Sequence, residues 1–273
     1  MNANLPPLKI KEWLAQATKT LSAAGIPSAR LDALLFLSDT LRQSKSWLLA
    51  HDDEPLHPAQ LAALQSALEA RRDRQPVAYI RGHQEFYGRE FRVTPTTLIP
   101  RPESEEGIEL LKSLQPLAGQ TIIDVGTGTG CLAITAALEL PSVRVIACDI
   151  SPEALKVAAH NAQALKASVT FFKSDLLAAI SQPVEVIIAN LPYVDPSWER
   201  SAETEFEPSL ALFAEHEGLA LIYKLITQTT TKLKDSGALL LEADPQQHAA
   251  IAQAAVHAGF TVHAGRFWLE CRR

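Results

Sequence analysis

The run Ile122-Ile123-Asp124-Val125-Gly126-Thr127-Gly128-Thr129-Gly130-Cys131 constrains the fold more than any other part of the chain. A short strand-forming stretch enters three glycines at alternate positions, and a helical pattern follows to about residue 139. A strand that turns tightly into a helix is half of a βαβ unit. Glycines at such a turn let the backbone bend sharply and let a ligand approach without meeting a Cβ. The spacing is G-x-G-x-G. Cys131 stands where the third glycine of a dinucleotide fingerprint would fall, and no Lys-Ser/Thr pair follows to hold a triphosphate.

The rest of the chain from Gln120 repeats that unit. Thr121–Val125, Arg144–Cys148, Val169–Phe172, Val184–Ala189 and Ala238–Leu241 are short β-favouring runs, mostly continuous in apolar residues. Helical stretches near 130–139, 152–165, 217–234 and 246–258 separate them. The pattern predicts an α/β sheet of buried parallel strands wrapped by helices. Phe260–His263 and Phe267–Cys271 read as a closing strand pair.

The first eighty residues read as helices only. Ile10, Trp13, Leu14, Ala17 and Leu21 share a face, and Gly25 and Pro27 stop that helix. Further helical stretches carry Leu31 to Leu41, Ser46 to Ala50, and Leu61, Leu64 and Leu68. Arg71, Arg72, Arg74 and Arg81 read as a solvated helix face. Glu85 to Val93, with aromatics around Gly88, reads as a hairpin, and the prolines between Pro95 and Pro102 exclude regular structure there.

Charge and cysteine usage narrow the class of function. Residues 1–85 carry ten Lys/Arg against nine Asp/Glu, and residues 86–273 carry fifteen against twenty-two. Neither part shows the basic footprint of a protein that lives on nucleic-acid phosphates. Cys131, Cys148 and Cys271 have neither disulfide nor zinc spacing, and the eight histidines lack ligand spacing, so no metal site is expected and a reducing cytoplasm fits. No apolar run is long enough to span a bilayer, and Met1 to Pro7 do not read as a secretory leader.

Three carboxylates at strand ends define what the glycine loop suits. Asp124, two residues before the first glycine, would repel a pyrophosphate but suits a ligand with a cationic group, such as the amino-acid end of S-adenosylmethionine. Asp149 ends the next strand and can accept from ribose hydroxyls. Asp175-Leu176 follow the third strand and can flank an adenine. Ser151 and Pro152 form a helix start between them.

The fourth parallel strand ends in Asn190-Leu191-Pro192-Tyr193. The lone pair of a conjugated –NH2 is delocalised, so such a nitrogen is a poor nucleophile. Acceptors on its N–H groups, the Asn190 side chain and a backbone carbonyl near Pro192, would orient it, and Tyr193 could pack on its flat face. Residues alone leave the acceptor as a base amine or a side-chain amide.

These motifs, together with Gln75 to Gly82, Glu85 to Phe91, Val93 to Glu105, Glu207-Pro208, Ala211-Leu212 and Gly218-Leu219, resemble the release-factor glutamine N5-methyltransferases, the HemK/PrmC family of class I methyltransferases. The resemblance covers nearly the whole chain. It implies a helical bundle that binds release factor (residues 1–82), a β-hairpin linker (83–103) and a seven-stranded Rossmann-like domain (104–273). It implies S-adenosylmethionine held by Asp124, Gly126, Thr127, Gly128, Thr129, Gly130, Asp149, Asp175, Leu176 and Asn190. The glutamine of the release-factor Gly-Gly-Gln loop would lie on Asn190, Leu191, Pro192 and Tyr193, with Asn190 and Tyr193 catalytic. It also implies a cytoplasmic monomer with no direct nucleic-acid or membrane contact.

The chain departs from the family at four places. Leu191 replaces the first proline of Asn-Pro-Pro-Tyr, Ser104 stands for threonine, Leu176 replaces an aromatic, and the tail after Ala264-Gly265-Arg266 lacks the usual Asp-Arg ending. The rival readings are a DNA adenine-N6 methyltransferase and a catalytically silent S-adenosylmethionine-binding protein.

Overall fold

The computed structural model describes residues 7–273; residues 1–6, where the leader reading largely falls, lie outside them. The described chain forms two units. One ends at Gly82 and takes in Ala202–Phe206; the other comprises His83–Ser201 and Glu207–Arg273.

The first unit contains α1 (Ile10–Ala23), α2 (Ala29–Leu41), α3 (Lys45–Ala50), α4 (Pro58–Arg72) and α5 (Val77–Arg81). The face read from the sequence, from Ile10 to Leu21, is buried against Phe36, Leu37, Leu48 and Leu64. Ser44 caps α3 by accepting from Trp47 N, and Pro58 opens α4, both positions where helix termini favour those residues.

The arginine face is not solvated as expected. Arg71 is 5% exposed and donates from Nε to Asp32 Oδ2 at 2.8 Å. It also reaches Glu203 at 3.0 Å. Arg74 bonds Glu203 and the carbonyls of Ala24 and Gly25, and Arg81 pairs with Asp39. Of the four, only Arg72 has a largely exposed side chain. A charge is buried only where it is paired and hydrogen-bonded, and the partners come from α2 and from residue 203, far off in sequence.

The second unit opens with the hairpin β1 (His83–Phe86) and β2 (Arg89–Arg92), turning through Gly88 at φ +72°. After α6 (Glu105–Ser113) come β3 (Thr121–Val125), α7 (Cys131–Glu139), β4 (Arg144–Asp149), α8 (Pro152–Leu165), β5 (Val169–Lys173) and β6 (Val184–Ala189). Then follow α9 (Ser209–Leu212), α10 (Ala220–Lys232), β7 (Leu233–Glu242), α11 (His248–His257), β8 (Thr261–Ala264) and β9 (Trp268–Arg272). The seven-stranded order is β5-β4-β3-β6-β7-β9-β8. The first five strands are parallel; β9 runs antiparallel to β7 and β8. This is the α/β class I methyltransferase fold expected from the sequence.

The order places the site. From β3 the chain proceeds to β4 and β5 on one side, then returns to β6 and β7 on the other. The strand order therefore reverses between β3 and β6, the position at which open α/β sheets bind ligands beyond the carboxyl ends of their strands. Val125 pairs with Ala189 in register, so Gly126 and Asn190 leave the sheet side by side.

Helices α6 and α9 were not expected from the sequence, and β7 is longer than expected. Helix α6 packs Ile108 and Leu111 into the core, and Gly107 lies under the Trp268 indole, where a Cβ would come within 2.3 Å of its ring. Strand β7 starts at Leu233 rather than Ala238, with an irregularity in pairing between Val184 and Val186. The sequence put Lys234 at the end of a helical stretch, whereas Leu233 already pairs with Val184 and residues 234–237 span the irregularity before Ala238 pairs with Val186.

Candidate active site at the strand switch point

A cavity of about 400 Å³ opens at the switch point, within the range of small-molecule sites. Gly126, Thr127, Gly128 and Thr129 line it, with Asp149, Asp175 and Leu176 and, from the acceptor motif, Asn190, Leu191 and Pro192. Residues Pro95 to Leu98 with Pro100 and Arg101 also line it.

The loop is built for close approach. Gly126, Gly128 and Gly130 all have positive φ, and a Cβ on Gly128 would meet no protein atom within 4 Å. Such a Cβ would project into space that a ligand can use. Asp149 ties this cradle together: its Oδ2 accepts from Gly128 N at 2.9 Å and its Oδ1 from Ser151 N at 2.8 Å. A carboxylate has about four lone-pair sites, so each oxygen retains one for ribose hydroxyls. Asp175 is paired with Lys224 at 2.5 Å, and Leu176 offers an apolar surface beside it.

Two expected cofactor contacts sit differently. Gly130 is outside the cavity wall; a Cβ there would meet Ile134 and Ala158 at 2.8 and 3.1 Å, so its bareness serves the packing of α7 on α8. Asp124 is 1% exposed and lies under the loop. Its Oδ2 accepts from Thr127 Oγ1 at 2.6 Å and Ala133 N at 3.2 Å, while Oδ1 has no partner. The strand end that carries Asp124 is wholly buried, which turns the side chain into the loop rather than into the cavity. The cavity itself offers a bare glycine cradle, a carboxylate at Asp149 with free lone pairs and an apolar surface at Leu176, so the residues present fit S-adenosylmethionine.

Burial pushes the Asp124 carboxyl up to about 7, against the bonds from Thr127 and Ala133 and with Asp149 adding repulsion. In the unfolded chain the group ionises near pH 4. Between those values the folded protein holds a proton that the unfolded chain has lost, so this group makes stability fall as pH rises through that window. Between pH 5 and 8 the parent protein should lose about 3 kcal/mol more stability than Asp124→Asn. Urea unfolding at both pH values measures this, and parallel pH profiles for the two proteins would contradict it.

The acceptor motif is fixed from several sides. Asn190 Nδ2 donates to Ser104 Oγ at 3.0 Å, which leaves Oδ1 as the acceptor atom of that side chain. Leu191 is 3% exposed and packs on the glycine loop: a Cβ on Gly126 would lie 2.9 Å from its Cδ2. The leucine that replaces the usual proline thus anchors the motif by packing. Tyr193 does not reach the cavity wall. Its hydroxyl points to Glu242 Oε1 at 3.5 Å, and burial with the nearby Glu242 charge pushes the phenol up. The expected stacking of Tyr193 on the acceptor group is therefore replaced by a contact behind the wall. Gln247 Nε2 donates to the carbonyls of Tyr193 and Glu217 at 2.9 and 2.8 Å. Glu207 accepts from Ile99 N and Arg101 and so holds the 99–101 segment.

Ser104, Glu207, Glu242 and Gln247 carry this geometry, yet none was a candidate site residue from the sequence. Glu242 left a signal: it is a charge at the end of the apolar run Ala238–Leu241. Among the described residues no group of three or more His, Cys, Asp or Glu could hold a metal ion, and no helix is long and apolar enough to cross a membrane.

Sheet order, glycine cradle and cavity together define a class I S-adenosylmethionine-dependent methyltransferase. A methyltransferase from Pyrococcus furiosus shares the fold with a TM-score of 0.53 at 18% identity, covering 68% of this chain and 88% of that one. Residues 12–82 match the PrmC N-terminal domain and residues 106–206 the methyltransferase small domain. The release factor glutamine methyltransferase of Koribacter versatilis is 40% identical over 249 residues, covering 87% of this chain and 89% of that protein. That of Escherichia coli is 35% identical over 257 residues, covering 93% and 92%. The chain belongs to the release factor glutamine methyltransferase family.

Proposed function

We propose that the cavity at the switch point is where this enzyme transfers a methyl group from S-adenosylmethionine to the side-chain amide N5 of the glutamine in the release-factor Gly-Gly-Gln loop. The observation that carries the reading is the register of β3 and β6, which sets Gly126 beside Asn190 at the mouth of one cavity. Gly126 to Thr129, Asp149, Asp175 and Leu176 hold the cofactor. Asp124 and Gly130 shape the loop from beneath. Asn190, Leu191 and Pro192 hold the glutamine amide, and Tyr193 supports them from behind.

Bound there, S-adenosylmethionine supplies a methyl group on a sulfonium sulfur, which keeps the bonding pair as the new N–C bond forms. The work of the chain is positioning. Asn190 Oδ1 accepts one amide N–H, and a backbone carbonyl of the motif can take the other, so the nitrogen lone pair is turned toward the cofactor side of the cavity. The same acceptors favour the nitrogen as it gains positive charge and then sheds a proton. Holding reactants in near-attack geometry is worth up to ~7–11 kcal/mol.

A planar base amine could be held in the same way, but the relatives that cover nearly the whole chain favour the amide, and neither DNA methylation nor silent binding is favoured. Residues 1–82 serve as the release-factor-binding bundle, 83–103 as the linker and 104–273 as the catalytic domain. The acidic balance of residues 86–273 supports a protein acceptor without direct nucleic-acid contact. A cytoplasmic, monomeric enzyme fits free thiols at Cys131, Cys148 and Cys271. Purified release factor incubated with labelled cofactor should acquire label only on the Gly-Gly-Gln glutamine, as located by peptide mapping. Label elsewhere on the factor, or on DNA, would overturn the assignment.

A further inference from the structure

Helix α8 meets the glycine loop from outside the cavity. Ala158 and Asn161 lie on one face of it. Ala158 stands where a Cβ on Gly130 would meet it, and Asn161, 2% exposed, carries the polar contacts. Asn161 Nδ2 donates to the Thr129 carbonyl at 2.9 Å and to the Arg92 carbonyl at 3.0 Å, and its Oδ1 accepts from Arg92 N at 2.9 Å. A side-chain amide has two N–H donors and one carbonyl, so every polar atom of Asn161 is engaged. Reversing the amide would set donor against donor and acceptor against acceptor.

Its two partners lead to different parts of the cavity wall. Thr129 lines the cavity from the glycine loop. Arg92 ends β2, and three residues further on Pro95 begins the segment to Leu98 that also lines it. The loop needs a tie of this kind. The Thr129–Gly130 peptide lies between Gly128 at φ +55° and Gly130 at φ +82°. Glycine takes up positive and negative φ about equally well, so the loop's own residues do little to stop that peptide turning over. Two bonds hold it: Gly130 N donates to the Thr127 carbonyl at 2.8 Å, and Asn161 takes the Thr129 carbonyl. In a planar trans peptide the C=O and N–H point opposite ways, so the two bonds fix the plane from both ends. Asn161 is the end anchored outside the loop.

We propose that Asn161 is a positioning residue for the cofactor, fixing the Thr129–Gly130 peptide and the Arg92 backbone to α8 in the arrangement that S-adenosylmethionine binds. This inference rests on the cofactor reading above. Asn161 itself does not line the cavity and acts through the loop. When a binding-competent conformation falls to a fraction of the population, the apparent Kd rises by the inverse of that fraction. Loss of Asn161 therefore shows in cofactor affinity. The acceptor motif is held by other bonds, from Asn190 to Ser104 and from Gln247 to the Tyr193 carbonyl, so the transfer step keeps its geometry.

The test compares the parent with Asn161→Ala, Asn161→Leu and Val157→Ala. The measurements are calorimetric titration of S-adenosylmethionine, melting temperature, amide hydrogen exchange of the cofactor-free protein and steady-state methylation of release factor. Both Asn161 variants should bind the cofactor about tenfold more weakly, the worth of one hydrogen bond, and raise its KM alike. Exchange at Gly130 N should quicken, while kcat at saturating cofactor and the KM for release factor stay near parental. Leucine keeps the branched shape of asparagine, so it separates lost bonds from lost volume. Val157→Ala removes buried apolar volume from the same helix and should lower the melting temperature with cofactor affinity unchanged. Parental affinity in a folded Asn161 variant, or an equal loss of affinity in Val157→Ala, overturns the proposal. Should neither Asn161 variant fold, the parent decides: a Gly130 amide that exchanges as fast as in an unstructured peptide overturns it, and a protected one supports it. A parent that binds no S-adenosylmethionine refutes the cofactor reading instead.

Discussion

Asn190→Ala lowers kcat for release-factor methylation by about 10²–10³-fold, the scale seen when one oriented polar partner of a transition state is removed, and leaves S-adenosylmethionine binding measurable. The expectation follows from how little else faces the acceptor. Asn190 Nδ2 is committed to Ser104, so Oδ1 is the side-chain atom left to take an amide N–H. Alanine removes that atom and also leaves Ser104 Oγ without its Asn190 donor. The cofactor cradle is built from different contacts, chiefly Asp149 with Gly128 and Ser151, which the substitution does not touch. The measurements are single-turnover methyl transfer and calorimetric titration of the cofactor. Undiminished transfer would remove Asn190 from the mechanism, whereas loss of both transfer and binding would mean that its main role lies in the cofactor site.

The parts of this site that were legible in the sequence are those written in local backbone demands. Gly126 to Gly130 need positive φ at alternate positions, and Asn190-Leu191-Pro192 end a strand where polar and proline residues announce a turn. Their adjacency was legible as well, because alternating strands and helices admit few sheet orders. The supporting residues were not. Ser104 meets Asn190 only because the segment before α6 is held at the end of the sheet, in part by Trp268, whose Nε1 donates to the Glu103 carbonyl. Arg71 looked like surface because charge usually is; its burial depends on Asp32 and Glu203, and no spacing rule links those three positions. Asp124 shows a third kind of limit. Its place in the sequence was read correctly as a strand end at the glycine loop, but the direction of its side chain depends on how completely that strand end is buried. Leu191 was legible only as a departure from the family's proline, and its packing against Gly126 is visible only in the structure.

Gly218→Ala should be among the most damaging single-methyl changes in the chain, although Gly218 is outside the cavity. It has φ +81°, and an added Cβ would lie 1.9 Å from the Tyr193 carbonyl oxygen and 2.7 Å from Gln247 Nε2. The oxygen is backbone and already accepts from Gln247, so neither neighbour can rotate away. His216 and Glu217 also have positive φ, which leaves the preceding turn little freedom to absorb the shift. Left-handed backbone costs alanine roughly 1–2 kcal/mol and overpacking typically adds 1–3 kcal/mol. At roughly 2–4 °C per kcal/mol for a chain near this size, the melting temperature should drop by about 5–15 °C. The same movement displaces Asn190 to Tyr193, and a misplacement of about 1 Å can cost 10²-fold in rate. Gly88→Ala separates strain from clash: Gly88 has φ +72° with nothing within 4 Å of its Cβ position, so it should show the backbone penalty alone and keep kcat. If Gly218→Ala melts no lower than Gly88→Ala and methylates as fast, the close approach of the 216–218 turn to the acceptor motif does not hold the motif in place.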